Sequence, residues 1–168
     1  AISAATRNEM VDLKSSLIEV AQGSKFSAAE VAQASVLLAQ AGLSINEIQH
    51  TMKAVIQLAT TSGSELKKSV DVMTSVLSEF DMSASQSESV ANKLTAALNR
   101  SKLDIDKMAL GLQYAGNAAA DAGVNFDELV SGLSAMANAG IRSGSTLGTG
   151  LRQLFVDIQK PSQNFQEI

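Results

Sequence analysis

The stretch Ala41-Gly42-Leu43-Ser44-Ile45-Asn46-Glu47-Ile48 ends one helix and opens another. Gly42 supplies a left-handed stop. Ser44 with Glu47 three residues on has the spacing of a capping box, in which hydroxyl and carboxylate satisfy each other's free backbone N–H. Ile45, Ile48, Met52, Val55 and Ala59 follow at helical period. The pattern returns 81 residues later as Ala122-Gly123-Val124-Asn125-Phe126-Asp127-Glu128-Leu129. At that offset Ser62-Gly63-Ser64 becomes Ser143-Gly144-Ser145, while Leu66, Val70, Met73 and Leu77 become Leu147, Leu151, Leu154 and Ile158. Two copies of one unit are predicted: helix, Gly stop, polar cap, helix, Ser-Gly turn, helix. Neither copy holds a reactive cluster, which points to assembly or interaction rather than catalysis.

Outward from this stretch, Met10, Leu13, Leu17 and Val20 are spaced 3, 4, 3 and form a seam of two heptads, enough for the end of a coiled coil only if more of it lies upstream. Gly23 stops that helix. Ser27 with Glu30 caps the next, which runs to about Gln40. Residues 60–64 read as a turn, followed by the stripe Leu66, Val70, Met73, Leu77 and Phe80, which Asp81-Met82-Ser83 breaks. Ser85 with Glu88 caps a helix carrying Val90, Leu94, Ala97 and Leu98 as far as Arg100. Asp104 opens the second copy. Gly111, Ala115, Ala119 and Gly123 fall four apart on one face, where another helix can come close. Leu129, Leu133 and Met136 follow the Asn125–Glu128 cap, residues 140–145 turn, and Pro161 ends the last stripe.

The fold class is all-α: about eight short-to-medium helices in an antiparallel bundle, joined by loops of two to six residues. No window alternates apolar with polar residues, so no sheet is expected. The organisation is residues 1–24 as an N-terminal helix, 25–82 as the first repeat, 83–103 as a linker helix, and 104–168 as the second repeat, packed with the first in one domain.

Composition agrees. The 168 residues are 45% hydrophobic and 18% charged, with one proline, no tryptophan and no cysteine. Aromatics are 4%: Phe26, Phe80, Phe126, Phe155, Phe165 and Tyr114. A core of Ala, Leu, Val and Met packs helices closely but buries modest area per residue. The net charge of −4 offers no electrostatic footprint for nucleic acid. Lys67-Lys68 is balanced by Glu65 and Asp71 and reads as a solvated face. Without cysteine there is no disulfide frame, thiol nucleophile or thiolate site. The uncharged runs at 108–120 and 129–141 are too short and too interrupted for a membrane span. A chain that starts at Ala1 and stops in mid-pattern at Ile168 reads as part of something longer.

His50 is the lone histidine and has no histidine or cysteine to share a metal or a proton with. Gly140, Gly144, Gly148 and Gly150 lack the lysine of a phosphate loop and follow no strand. They suit a turn and a close helix approach. Asp121, Asn125, Asp127 and Glu128 fail the spacing of a calcium loop, and capping explains the cluster. Asp104 and Asp106 flank a helix start, where anions are favoured. The six methionines fall mostly on apolar stripes and fill core. No catalytic, cofactor-binding or metal residue is assigned, no cofactor is expected, and the chain reads as a non-enzyme.

The ordered series has a family likeness. A helix closed by Ala-Gly-Leu-Ser, a cap with Glu at its third position, an Ala-rich helix, Ser-Gly, another helix and the Phe80-Asp81-Met82-Ser83 break resemble the core region of phage tail tape measure proteins. Val90-Ala91-Asn92-Lys93-Leu94, Ala137-Asn138-Ala139-Gly140-Ile141 and the stretch 148–154 extend the resemblance over about residues 25–165. It implies a structural virion component of a phage or prophage, around which the tail tube polymerises so that chain length sets tail length, and which leaves on DNA ejection. It further implies tail tube subunits, tail assembly chaperones and the distal baseplate hub as partners, a small homo-oligomer such as a trimer, and residence in the virion tail after assembly in the host cytoplasm. The competing readings are a helical repeat adaptor that holds a partner helix in a groove and, further off, a peptidoglycan hydrolase segment. The size adds one expectation. A compact domain of this length is about 40 Å across, whereas the same chain as one straight helix would span about 250 Å. Several globes side by side do not fit a narrow tube, so the segment is expected at a tube end or opened into extended helices.

Overall fold

A computed structural model describes residues 4–160. Pro161 as helix stop and Phe165 lie outside them. Among the described residues there are eight α-helices, one 3-10 turn and no strand. The helices are α1 (Ala4–Gln22), α2 (Ala28–Gln40), α3 (Ile45–Ser62), α4 (Leu66–Glu79), α5 (Ser87–Arg100), α6 (Ile105–Asp121), α7 (Phe126–Asn138) and α8 (Gly144–Gln159), with the 3-10 turn at Ala84–Gln86.

The ends of these helices are set by local chemistry. Ser27 with Glu30, Ser44 with Glu47 and Asn125 with Glu128 all form the reciprocal cap. At Asn125 both bonds are 2.9 Å. Three helices close on Ala-Gly-apolar. Gly42, Gly123 and Gly140 take positive φ, and the N–H of the following Leu43, Val124 or Ile141 reaches back to the carbonyl of Leu38, Ala119 or Met136. Glycine is needed there because the left-handed conformation crowds any Cβ. Asp81 does the same work after α4, with φ 48°, while the Met82 N–H donates to the Leu77 carbonyl at 2.8 Å.

Packing follows a simple rule. Each helix packs on the next but one, and all but α5 and α6 also pack on the next in sequence, giving two layers: α1, α3, α5 and α7 in one, α2, α4, α6 and α8 in the other. Within a layer neighbours run the same way. Thr51 meets Ser87 and Gln57 meets Asn92 between α3 and α5. Lys68 pairs with Asp106, and Glu79 lies beside Gly116, between α4 and α6. Across layers α7 and α8 run oppositely, with Gly132 against Leu151 and Gly150 against Met136. The starts of α2, α4, α6 and α8 are about 39 residues apart. The structural unit is thus a helical hairpin, and the 81-residue spacing covers about two of them. One contiguous apolar core runs from Ala21 to Phe155 through both layers.

Several local expectations are corrected. Residues 60–62 belong to α3, whose stop is Gly63 at φ 66°. The cap before α5 is Ser83 with Gln86, at 2.9 Å, rather than Ser85 with Glu88. The helix expected as a linker lies between α3 and α7 as a full member of its layer. Gly123 is a helix stop and leaves the small-residue stripe at Ala119. The segment 140–145 is not all turn, because Ser143 is the cap and Gly144 the first residue of α8. Lys68 pairs across to Asp106 on α6, not with Glu65 or Asp71.

The largest correction concerns α8. Met73 and Leu77 of α4 are buried, but their offset partners Leu154 and Ile158 are 52% and 67% exposed. Helix α8 buries Gly144, Leu147, Gly148, Leu151 and Phe155 instead. Gly144 and Gly148, one turn apart, lay it directly on α6. A Cβ on Gly148 would fall 3.0 Å from the Gly111 carbonyl oxygen, and one on Gly144 would fall 2.8 Å from Lys107 Cα. This contact turns α8 away from the face that α4 uses. Among the described residues α8 packs mainly on α6 and α7, whereas α4 is enclosed by α2, α3, α5 and α6.

Candidate functional site

His50 lies exposed on α3, at the rim of a cleft of about 420 Å³ that it shares with Lys53, Gln57, Ser85, Ser87 and Glu88. It has no hydrogen-bond partner among the described residues, so nothing orients its ring for proton transfer. Ser87 faces inward and is engaged, its hydroxyl 3.0 Å from Thr51 and donating to the Ala84 carbonyl at 2.6 Å. This buried Thr51–Ser87 pair escaped the sequence reading. The signal was there: Thr51 sits between Ile48, Met52 and Val55 on the inward face.

The glycine patch cradles no anion. Gly140 closes α7, and Gly144 and Gly148 press their backbone on α6. The acidic cluster disperses too. Asn125 and Glu128 cap α7, Asp127 pairs with Lys93 of α5 at 2.7 Å, and Asp121 ends α6. Asp104 caps α6 by accepting from the Lys107 N–H at 2.8 Å. Among the described residues no three His, Asp or Glu side chains converge as a metal ion would need, and no helix is long and apolar enough to cross a membrane. Met52, Met73 and Met108 are core, Met82 and Met136 pack on its edge, and only Met10 is largely exposed, so the methionines form no groove.

One ionisable group departs from this pattern. Glu79, in the last turn of α4, points at α6. Its Oε2 is fully enclosed and has no hydrogen-bond partner. It fits because Gly116 has no side chain, and a Cβ there would overlap that oxygen. Burial pushes the carboxyl up to about 7. Beside it opens a cavity of about 490 Å³, with Phe80, Met82, Val124 and Phe126 as its apolar wall and Asp81, Lys93 and Asp127 as its charged one. Phe80 and Phe126 meet edge to face at 5.7 Å, tying the end of α4 to the start of α7. Sequence reading did not find Glu79, because an acid at a helix C-terminus looks solvated until the neighbour that buries it is known.

Most of the polar side chains singled out by the sequence thus serve as caps, ion pairs or helix contacts. Phage-related minor tail proteins, as a family, match residues 14–168. This chain belongs to the phage-related minor tail protein family. The tail-protein chain is 34% identical over 163 residues to the tape measure protein of Pneumococcus phage Dp-1, a match that covers 97% of it and 14% of that protein. It is 26% identical over 154 residues to the probable tape measure protein of Escherichia phage P2, covering 92% of it and 19% of that relative. It thus spans less than a fifth of either relative's length. No solved structure matches it. The resemblance to tape measure proteins drawn from the residues holds.

Proposed function

We propose that this chain is a structural, non-catalytic segment of a tail tape measure protein, part of the scaffold on which a phage tail is built. The observation that carries the reading is the match to two tape measure proteins over nearly its whole length. The fold supports it, since Lys68–Asp106 and Lys93–Asp127 tie one helix to another and the reciprocal caps fix helix ends. In this reading the parent protein templates the tail tube, its length helps to set tail length, and it leaves when DNA is ejected. Its partners are tail tube subunits, assembly chaperones and the distal baseplate hub. It acts as a small homo-oligomer, first in the host cytoplasm and then in the virion tail.

The two-layer fold is one of two states in this proposal. A hairpin array held mainly by apolar contacts, without disulfides, can be drawn out into extended helices inside the tube. An in-frame deletion of these 168 residues from the phage gene tests this. If the segment spans the tube as extended helix, tails shorten by about 250 Å. If it sits folded at a tube end, length is unchanged but assembly or infection fails. Deletion phage with tails of normal length and undiminished infectivity would remove the structural role.

A further inference from the structure

We propose that Glu79 is a proton-controlled latch on the α4–α6 seam: protonated, it packs against Gly116; ionised, it leaves that place for the adjoining cavity and loosens the contact between the two helices. This goes beyond the structural role proposed above and rests on it only for its use in opening the array.

The geometry carries the inference. A charged carboxylate oxygen held without a donor inside a protein loses its water and gains nothing in return. At Glu79 the α6 wall is Gly116 and Ala120, which offer no charge and no side-chain donor, and Asp121 does not line the cavity. The other charged neighbours give little relief. The turn after α4 contributes Asp81 and the start of α7 contributes Asp127, both carboxylates. Lys93 of α5 is the one cation on the cavity wall, and Asp127 already holds it at 2.7 Å. On the α2–α3 side Glu47 is engaged with Ser44 in its cap. The neutral carboxyl therefore suits the enclosed position, and the ionised one suits the cavity of about 490 Å³ a rotation away. The upward push on its titration, to about 7, agrees and places the change near neutrality.

The seam is a fitting place for such a device. It is where one pair of hairpins meets the next, with the exposed Lys68–Asp106 ion pair near its other end. Because the folded carboxyl titrates above its ordinary value, the folded state holds the extra proton between about pH 4.5 and 7. Stability therefore falls as pH rises through that window and levels off above it.

The test uses the 168-residue chain and its Glu79→Gln variant, which keeps the shape and cannot ionise. Denaturant unfolding at about pH 5 and about pH 8.5 should show the wild-type folding constant dropping on the order of tenfold more than the variant's. This is well below the ceiling set by the full shift, because the side chain is only partly buried. Carbon NMR of the Glu79 carboxyl should titrate well above the ordinary glutamate range. At the higher pH, amide exchange in α4 and α6 should be faster in wild type than in the variant. A carboxyl that titrates near 4.5, or a variant whose stability runs parallel to wild type at every pH, would overturn the latch and leave the tail-scaffold reading untouched. Should Glu79→Gln fail to fold, the wild-type carboxyl titration decides the question alone.

Discussion

Gly116 and Gly148 sit alike in the sequence, each inside an apolar helix. Their neighbours make them opposites. A methyl on Gly148 meets backbone, the Gly111 and Leu110 carbonyl oxygens at 3.0 and 3.1 Å, besides Tyr114 Cβ at 2.6 Å. Backbone inside two packed helices cannot give way, so Gly148→Ala should destabilise by about 1–3 kcal/mol, despite alanine's better helix propensity. A methyl on Gly116 meets only the end of the Glu79 side chain, which has a cavity to move into. Gly116→Ala should be neutral or stabilising by up to about 1 kcal/mol. Chemical denaturation of both variants, run in parallel, separates the two cases. The hydroxyls of Thr51 and Ser87 give a second test at this scale. Removing either one leaves its buried partner short of a bond and should cost about 1–2 kcal/mol. Thr51→Val with Ser87→Ala should cost clearly less than the sum of the two single changes, measured as a double-mutant cycle.

For the helices, the ends were legible and the faces only partly so. Asn125 and Glu128 announce the start of α7 because a cap is made within four residues, and both bonds are present. Asn125→Ala should cost about 1 kcal/mol, read from the denaturation midpoint. Ser83 with Gln86 was missed in favour of Ser85 with Glu88 because the two spacings overlap, and a 3-10 turn intervenes. The faces of α4 and α8 could not be told apart by period. Both carry an apolar stripe, but α8 is rotated by its glycine contact with α6 and leaves Leu154 and Ile158 exposed. Ile158→Lys should therefore change stability by no more than about 0.5 kcal/mol. Leu77→Lys at the offset position buries a charge and should be severely destabilising. A thermal melt of each variant gives the answer. Equal, large losses would show that the α8 face is covered in solution.

The whole molecule has a pH profile with two limbs. In α2 the N–H and hydroxyl of Ser27 hold the Glu30 carboxyl below its ordinary value, and in α3 the hydroxyl and N–H of Ser44 do the same for Glu47. A depressed carboxylate stabilises the fold above its unfolded range and loses that contribution as pH falls through it. Glu79 has the opposite sign, because its carboxyl is raised and its penalty grows toward neutrality. The melting temperature should thus peak near about pH 5 and decline on both sides. Glu79→Gln should flatten the alkaline decline alone, as circular dichroism melts across the range can show.

The sequence by itself determined most helix ends, because caps, left-handed glycine stops and apolar period are interactions among residues a few places apart. It also carried the family likeness and showed that His50 has no second histidine and no cysteine to work with. Tertiary structure alone decided which helices are neighbours: two parallel layers, the supposed linker as a full member, the rotation of α8, and the enclosure of Glu79 against Gly116. Those depend on contacts between residues tens of positions apart, such as Glu79 with Gly116 and Gly148 with Gly111. A helix's own sequence shows that it has an apolar face, but the size of the side chains opposite decides how close its neighbour comes and which face is finally covered.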